Sequence, residues 1–263
     1  MLLENKNAVV YGGGGSIGGA VARAFAREGA KVFLAGRTLA PVEAVADEIS
    51  AAGGAAEAAS VDALDETAVD EHAAGVVSTA GGIDVSFNAI SHGDVHGMPL
   101  VEMSYEDFAR PIVTAMRAQF LTARAAARHM IERRSGVIMA VTATTGRHLI
   151  PQVGGTGVTF DAIESLCRLW ARELGPYGVR VVWLRTTGIP EALADIPRFP
   201  DYGTRSGQGL TRDEMIEWLR GKTMLDRLTS LDEAGNVAAF VASDRASAMT
   251  GTAAGIECGS VAG

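Results

Sequence analysis

A chain of 263 residues, 48% hydrophobic and 21% charged, is long and apolar enough to bury the core of one large α/β domain, which excludes a disordered chain. Its 32 glycines follow no collagen-like period. A net charge of −8 repels phosphate backbones and anionic lipid, so the expected partner is a small molecule, with no nucleic acid and no membrane. Two cysteines, Cys167 and Cys258, are too few for a disulfide framework. With no leader pattern and no run of about 18 apolar residues, a cytoplasmic setting is expected.

Taken in chain order, short β-branched runs at 8–11, 31–35, 56–61, 83–89, 137–141, 179–184 and 253–257 predict seven strands. Patterns near 17–28, 41–52, 65–79, 104–132, 158–174 and 232–243 predict helices between them, the first with Ile17, Val21, Ala24 and Phe25 on one face. Strand and helix in alternation imply right-handed crossovers and a single α/β domain, its mostly parallel, doubly wound sheet flanked by helices. No charge block, repeat or hinge divides it. The largest irregular stretch, from Thr186 to about Gly209, carries Pro190, Pro197 and Pro200 and follows the sixth strand. Ligands of parallel sheets sit beyond the carboxyl ends of strands, so a substrate lid is expected over about 186–225, with a plain surface excursion as the alternative.

Directly after the first strand stand Gly12, Gly13, Gly14, Gly15, Ser16, Ile17, Gly18 and Gly19, where the first helix begins. Gly13, Gly15 and Gly18 satisfy G-x-G-x-x-G in a strand-to-helix context, where glycines let the backbone approach a pyrophosphate and the helix start offers unpaired N–H groups. A flexible turn is the plainer reading. An NAD(H) site places Asp or Glu at the end of the second strand, but this chain has Ala35, Gly36, Arg37 and Thr38 there. A cation without a carboxylate suits the 2′-phosphate of NADP(H), which an arginine fork binds bidentately. A solvated helix-entry arginine is the alternative. Asp62 after the third strand and Asn88 ending the fourth are placed to line the adenine side and the middle of a dinucleotide. The cofactor set is therefore Gly12, Gly14, Gly15, Ser16, Ile17, Gly18, Arg37, Asp62 and Asn88.

Tyr11 to Gly18, the pair Val61 and Asp62, the run Asn88, Ala89, Ile90, Ser91, and the stretch ELGPYGVRV from Glu173 to Val181 together carry a family signature. With them nearly the whole chain resembles the short-chain dehydrogenase/reductase family, a Rossmann-fold group usually found as dimers or tetramers. The resemblance implies a nicotinamide cofactor, a small-molecule substrate and a homo-oligomer, with a homotetramer expected. Members use Asn, Ser, Tyr and Lys for carbonyl chemistry, the Tyr as general acid/base. Counting back from Ala171 to Leu174, the Tyr position falls on Thr156, the Lys position on Phe160, the Ser position on Ala143 and the Asn position on Ala115. A Thr hydroxyl has no accessible pKa near neutrality, and Phe offers neither charge nor hydrogen bond. Tyr11, Tyr105, Tyr177 and Tyr202 have no Lys four or seven residues later, so no shift of register restores the pair.

Polar residues nevertheless gather where the resemblance puts the active site: Thr142, Thr144, Arg147 and His148; Thr156, Thr159 and Asp161; and Ser91, His92, Asp94 and His96. Histidine transfers protons near pH 7, so His92 and His148 are candidate acids, with Thr156 and Thr144 as candidate hydroxyls. Against this, most loop histidines are merely solvated, and Asp161 suits a charge–dipole role. His92, Asp94 and His96 have a spacing that invites a metal, but Gly93 and Gly97 argue against a rigid ligand face, and no metal is expected. His129, among Arg124, Arg128, Arg133 and Arg134, reads as solvated or subunit-facing. These residues point to an NADP(H)-dependent oxidoreductase with a non-standard active site, exchanging hydride with an activated carbonyl, imine or conjugated alkene. The alternatives are a catalytically silent nucleotide-binding subunit or sensor, and a non-redox isomerase or lyase on the same scaffold.

Overall fold

The run NAVVY forms β1 (Asn7–Tyr11), and its alternation sorts side chains between two cores. Val9 and Tyr11 enter one and Ala8 and Val10 the other, as the two-residue period of a strand covered on both faces requires. The protein is seen here in a computed structural model, which describes residues 1–145, 147, 150–194, 198–200 and 209–260.

From β1 the chain alternates through α1 (Ser16–Arg27), β2 (Lys31–Gly36), α2 (Leu39–Ala51), β3 (Ala55–Ser60), α3 (Glu66–Ala80), β4 (Val85–Asn88), α4 (Tyr105–Arg133), β5 (Gly136–Ala143), α5 (Thr156–Leu174) and β6 (Val179–Thr186). A small antiparallel pair, β7 (Arg198–Phe199) and β8 (Leu210–Thr211), precedes α6 (Arg212–Arg220), α7 (Leu231–Ala242) and β9 (Thr252–Gly255). The main sheet has seven strands in the order β3-β2-β1-β4-β5-β6-β9, and all its pairings are parallel. Side chains of α3, α4 and α5 fill one core and those of α1, α2 and α7 the other, so the domain is the doubly wound Rossmann type expected. After β3 the order crosses to the far side of β1, which leaves a crevice between the carboxyl ends of β1 and β4.

Two departures from the sequence expectation have physical causes. Strands β5 and β6 each run two residues further than their apolar cores, because Thr142 pairs with Arg185 and Ala143 with Thr186. Cross-strand pairing thus keeps polar residues extended. Helix α6 lies inside the expected lid region and was not predicted, although Thr211 and Glu214 form a capping box that signals its start. Phe199, Met215 and Leu219 join Val153 of the β5–α5 loop in a third small apolar cluster, which seats the described part of this region over the start of α5.

Beneath that loop Glu164 of α5 is a buried carboxylate. Arg185 binds it through Nε and Nη2 at 2.7 Å each, Arg147 Nη2 lies at 3.3 Å, and Thr142 Oγ1 donates to it at 3.2 Å. Burial pushes the carboxyl up, but the Arg185 hydrogen bonds and charge, with Arg147 behind them, hold it below the ordinary carboxylate range. A depressed folded-state pKa stabilises the fold above the unfolded-state value, near 4.3, and that stabilisation is lost as pH falls through the folded value. Glu164→Gln should therefore cost at most about 3 kcal/mol at pH 7 by leaving Arg185 with Glu257, at 3.9 Å, as its remaining carboxylate partner. In urea titrations the gap between wild type and variant should narrow as pH falls below about 4; a gap independent of pH would contradict the ion pair.

Candidate functional site

At the end of β1 the N–H groups of Gly12 and Gly13 both donate to Ala35 O, at 2.9 and 3.1 Å, while Gly15 N–H returns to Gly12 O at 3.0 Å. Gly12 has φ +77°, and a Cβ there would stand 2.6 Å from Ala89 O. A Cβ on Gly18 would stand 2.2 Å from Gly12 O. The chain's own backbone excludes side chains at these two positions. Gly15 differs: a Cβ there would meet only Gly12 O, at 3.4 Å. It is the N-cap of α1, it makes no side-chain cap bond, and no acidic residue occupies the first turn. The first N–H groups of α1 therefore face an open cradle with the positive end of the helix dipole behind them.

That cradle opens on a cavity of about 310 Å³ lined by Tyr11, Gly12, Gly15, Arg37, Asp62 and Ser91, among others. Its shape and donors fit the adenosine and pyrophosphate portion of a nicotinamide dinucleotide, which would rest on the α1 start and lean toward Arg37. Ser16 is exposed at the rim, and Ile17 packs its side chain into the second core. Arg37 is exposed, and its guanidinium makes no ion pair among the described residues. Asp62 lines the cavity and accepts a hydrogen bond from Leu64 N–H at 2.9 Å in a local turn. Asn88 is buried behind the cavity wall: its Nδ2 donates to Thr122 Oγ1 at 2.9 Å and its Oδ1 accepts from Ile90 N–H at 3.1 Å. It shapes the bend after β4 through the protein's own groups.

Beyond Ser91 the loop after β4 meets the start of α5. His92 is buried edge-on to Phe160, with ring centroids 5.9 Å apart. Burial lowers its imidazole below the ordinary value, and the charge of Asp94 works against that shift. Thr156 is buried at the first position of α5, donates to Asp94 Oδ1 at 2.9 Å and lies 2.9 Å from His96 Nε2. Thr144 belongs to a separate chain, donating to Thr187 Oγ1 at 3.2 Å, which in turn meets Ser260. His148 lies outside the described residues. The structure thus brings Gly12, Gly15, Arg37 and Asp62 to one cavity, leaves Gly14, Ser16, Ile17, Gly18 and Asn88 off its lining, joins Thr156 to Asp94 and His96, and sets His92 against Phe160. No group of three or more His, Cys, Asp or Glu side chains among the described residues is placed to hold a metal.

Sequence reading passed over the pairing of Asp94 and His96 with Thr156, which spans some 60 positions; with His92, four residues before His96, they suggested only a metal site. It also passed over Glu164 with Arg185, for which the arginines inside the apolar strand VRVVWLRT were the available signal. The two kinds of glycine separate in a direct test. Gly18→Ala should destabilise the fold by more than about 1 kcal/mol through backbone overlap. Gly15→Val should leave stability within about 0.5 kcal/mol, yet weaken nucleotide binding about tenfold or more by filling the cradle. Thermal unfolding and calorimetric titration measure the two effects, and equal loss of stability in both variants would refute the distinction.

A family model described as enoyl-(acyl carrier protein) reductase matches residues 13–260. An uncharacterized oxidoreductase, YxbG, of Bacillus subtilis is 31% identical over 250 residues, covering 95% of this chain and 88% of its own. The L-rhamnose 1-dehydrogenase (NAD(P)(+)) of Azotobacter vinelandii is 31% identical over 264 residues, covering 95% and 94%. The crystal structure of a short-chain type dehydrogenase/reductase from Mycobacterium marinum superposes with a TM-score of 0.85 at 28% identity, over 99% of this chain and 97% of its own. A Rossmann sheet with a glycine cradle at its switch point, matched from end to end by such relatives, belongs to the short-chain dehydrogenase/reductase family.

Proposed function

We propose that this chain is an NADP(H)-dependent oxidoreductase with a non-standard active site, acting on a small organic substrate whose hydride acceptor is already activated: an activated carbonyl, an imine or a conjugated alkene. The observation that carries the cofactor assignment is Arg37. Arg37 lines the cavity and makes no ion pair among the described residues, and the end of β2 holds no carboxylate to repel a 2′-phosphate. The cradle of Gly12, Gly14, Gly15, Ser16, Ile17 and Gly18 would hold the pyrophosphate, and Asp62 the adenine side, with Asn88 behind the wall. The nicotinamide nucleotide supplies the hydride when bound. The chain's own tasks are to orient the substrate, exclude water and provide a proton, for which His92, His148, Thr156 and Thr144 are the candidates. The region of about 186–225 is read as the substrate lid, supported by the contact of Phe199 and Met215 with Val153. A homo-oligomer is supported by exposed apolar residues on adjoining helices, Val113 and Phe120 of α4 with Leu169 of α5.

Phe160 against His92 favours a second reading, a catalytically silent nucleotide-binding subunit, because the residue packed there is an aromatic ring and not a cation that could tune an acid or hold a ribose. Turnover of NADPH with aldehydes, ketones, cyclic imines and enones separates the two, and a nucleotide-free chain would favour a non-redox isomerase or lyase. For the cofactor itself, Arg37→Asp should weaken NADPH about tenfold or more while changing NADH little, because it replaces a bidentate phosphate contact with a repelling charge. Calorimetric titration measures both ligands; equal weakening of the two refutes the 2′-phosphate role.

A further inference from the structure

The segment that leads into α5 is pressed by backbone contacts against the loop after β4 and against α4. Gly97 N–H donates to Gln152 O at 2.8 Å, and a Cβ on Gly154 would stand 2.8 Å from Val95 O. A Cβ on Gly155 would come within 2.1 Å of Phe108 O. This close approach sets Thr156 Oγ1 at 2.9 Å from both Asp94 Oδ1 and His96 Nε2. A threonine hydroxyl has one hydrogen and a carboxylate only accepts, so the hydroxyl donates to Asp94 and the imidazole donates to the hydroxyl. His96 is thereby held with its proton on Nε2. The chain runs from a half-buried imidazole through a buried hydroxyl to an exposed carboxylate, three residues past Ser91 on the wall of the nucleotide cavity.

We propose that His96, Thr156 and Asp94 form a proton relay at the carboxyl edge of β4 and β5, in which Asp94 exchanges a proton with substrate and Thr156 and His96 are positioning residues behind it. The relay deepens the oxidoreductase reading and rests on it. One proton passes from the His96 imidazolium Nε2 to Thr156 Oγ1 as the threonine's own proton passes to Asp94 Oδ1. The imidazolium becomes a transient neutral imidazole with its remaining proton on Nδ1, unlike the resting neutral form with its proton on Nε2, the carboxylate becomes a carboxylic acid, and no other bond changes. The acid gives this proton to the heteroatom of the substrate, and solvent restores the imidazolium. Burial lowers His96 below its ordinary value, and the charge of Asp94 opposes that shift. The described charged groups around the loop are His92, Asp94 and Glu102 within it and Arg110 of α4, which lies against Gly93 and pairs with Asp107; α5 contributes Thr156 and Phe160.

The test uses the full ¹⁵N-labelled chain. Imidazole NMR across pH 5 to 8 (about the range where histidine titrates) should show His96 with its neutral-form proton on Nε2. Thr156→Val should abolish that preference, Thr156→Ser should restore it, and Asp94→Asn should lower the His96 pKa. In parallel, NADPH consumption is followed with 2,3-butanedione, benzaldehyde, 1-pyrroline and cyclohexenone. Asp94→Asn and Thr156→Val should lower kcat about a hundredfold while calorimetric NADPH affinity holds, and Thr156→Ser should recover turnover. A His96 signal indifferent to Thr156→Val, or wild-type turnover in Asp94→Asn, overturns the relay. So does a chain that binds NADPH yet consumes it with none of the four compounds. Failure to bind NADPH removes the oxidoreductase reading instead, and the imidazole spectra then decide whether the relay stands.

Discussion

The backbone of Gly12 sits between two other backbone segments, Ala89 after β4 and Gly18 in the first turn of α1, at separations that leave no room for a single added carbon. This contact sets where the first helix starts, how near the β4 loop comes to β1, and hence how wide the crevice at the switch point is. With Gly12, Gly13 and Gly15 committed to Ala35 and to one another, the first N–H groups of α1 remain outside the turn's own bonding, above the cavity. A dinucleotide site follows from a packing constraint, and the open side of Gly15 is the one place where that packing relents.

The polar groups behind this crevice give the edge of the sheet its rigidity. A buried polar atom without a partner costs more than a hydrogen bond returns, so each such group ties down the segment that satisfies it. Asn88 fastens the β4 loop to Thr122 of α4, Thr156 fastens the same loop to α5, and Glu164 with Arg185 and Arg147 fastens the β5–α5 loop to α5 and β6. These ties come from α4, α5 and β6 and converge on the long loops after β4 (89–104) and β5 (144–155). Loops held in this way supply the fixed geometry that proton transfer and substrate orientation demand.

The family's tyrosine and lysine positions, read here as Thr156 and Phe160, illustrate a difference between local and distant compensation. Phe160 is matched by a neighbouring ring, His92, and the apolar contact accounts for the pairing without a charge. Thr156 is matched by two side chains from another loop, and the hydroxyl becomes a link between them.

The sequence by itself determined the sheet, its two cores and the glycine cradle, because strand alternation, helical periodicity and the steric permissiveness of glycine are properties of neighbouring residues. It also placed Arg37 and Asp62 at strand ends, since a strand's carboxyl end is defined locally. Helix α6 was legible in principle from Thr211 and Glu214, but it lay within a proline-containing stretch that reads as irregular. Only the tertiary structure decided that Asp94 and His96 serve Thr156, that Asn88 bonds inward to Thr122, and that Arg185 neutralises Glu164. Such partners stand between 21 and 62 positions apart in the chain. Which acceptor a hydroxyl or guanidinium finds depends on how helices stack on the sheet, a quantity that no local period encodes.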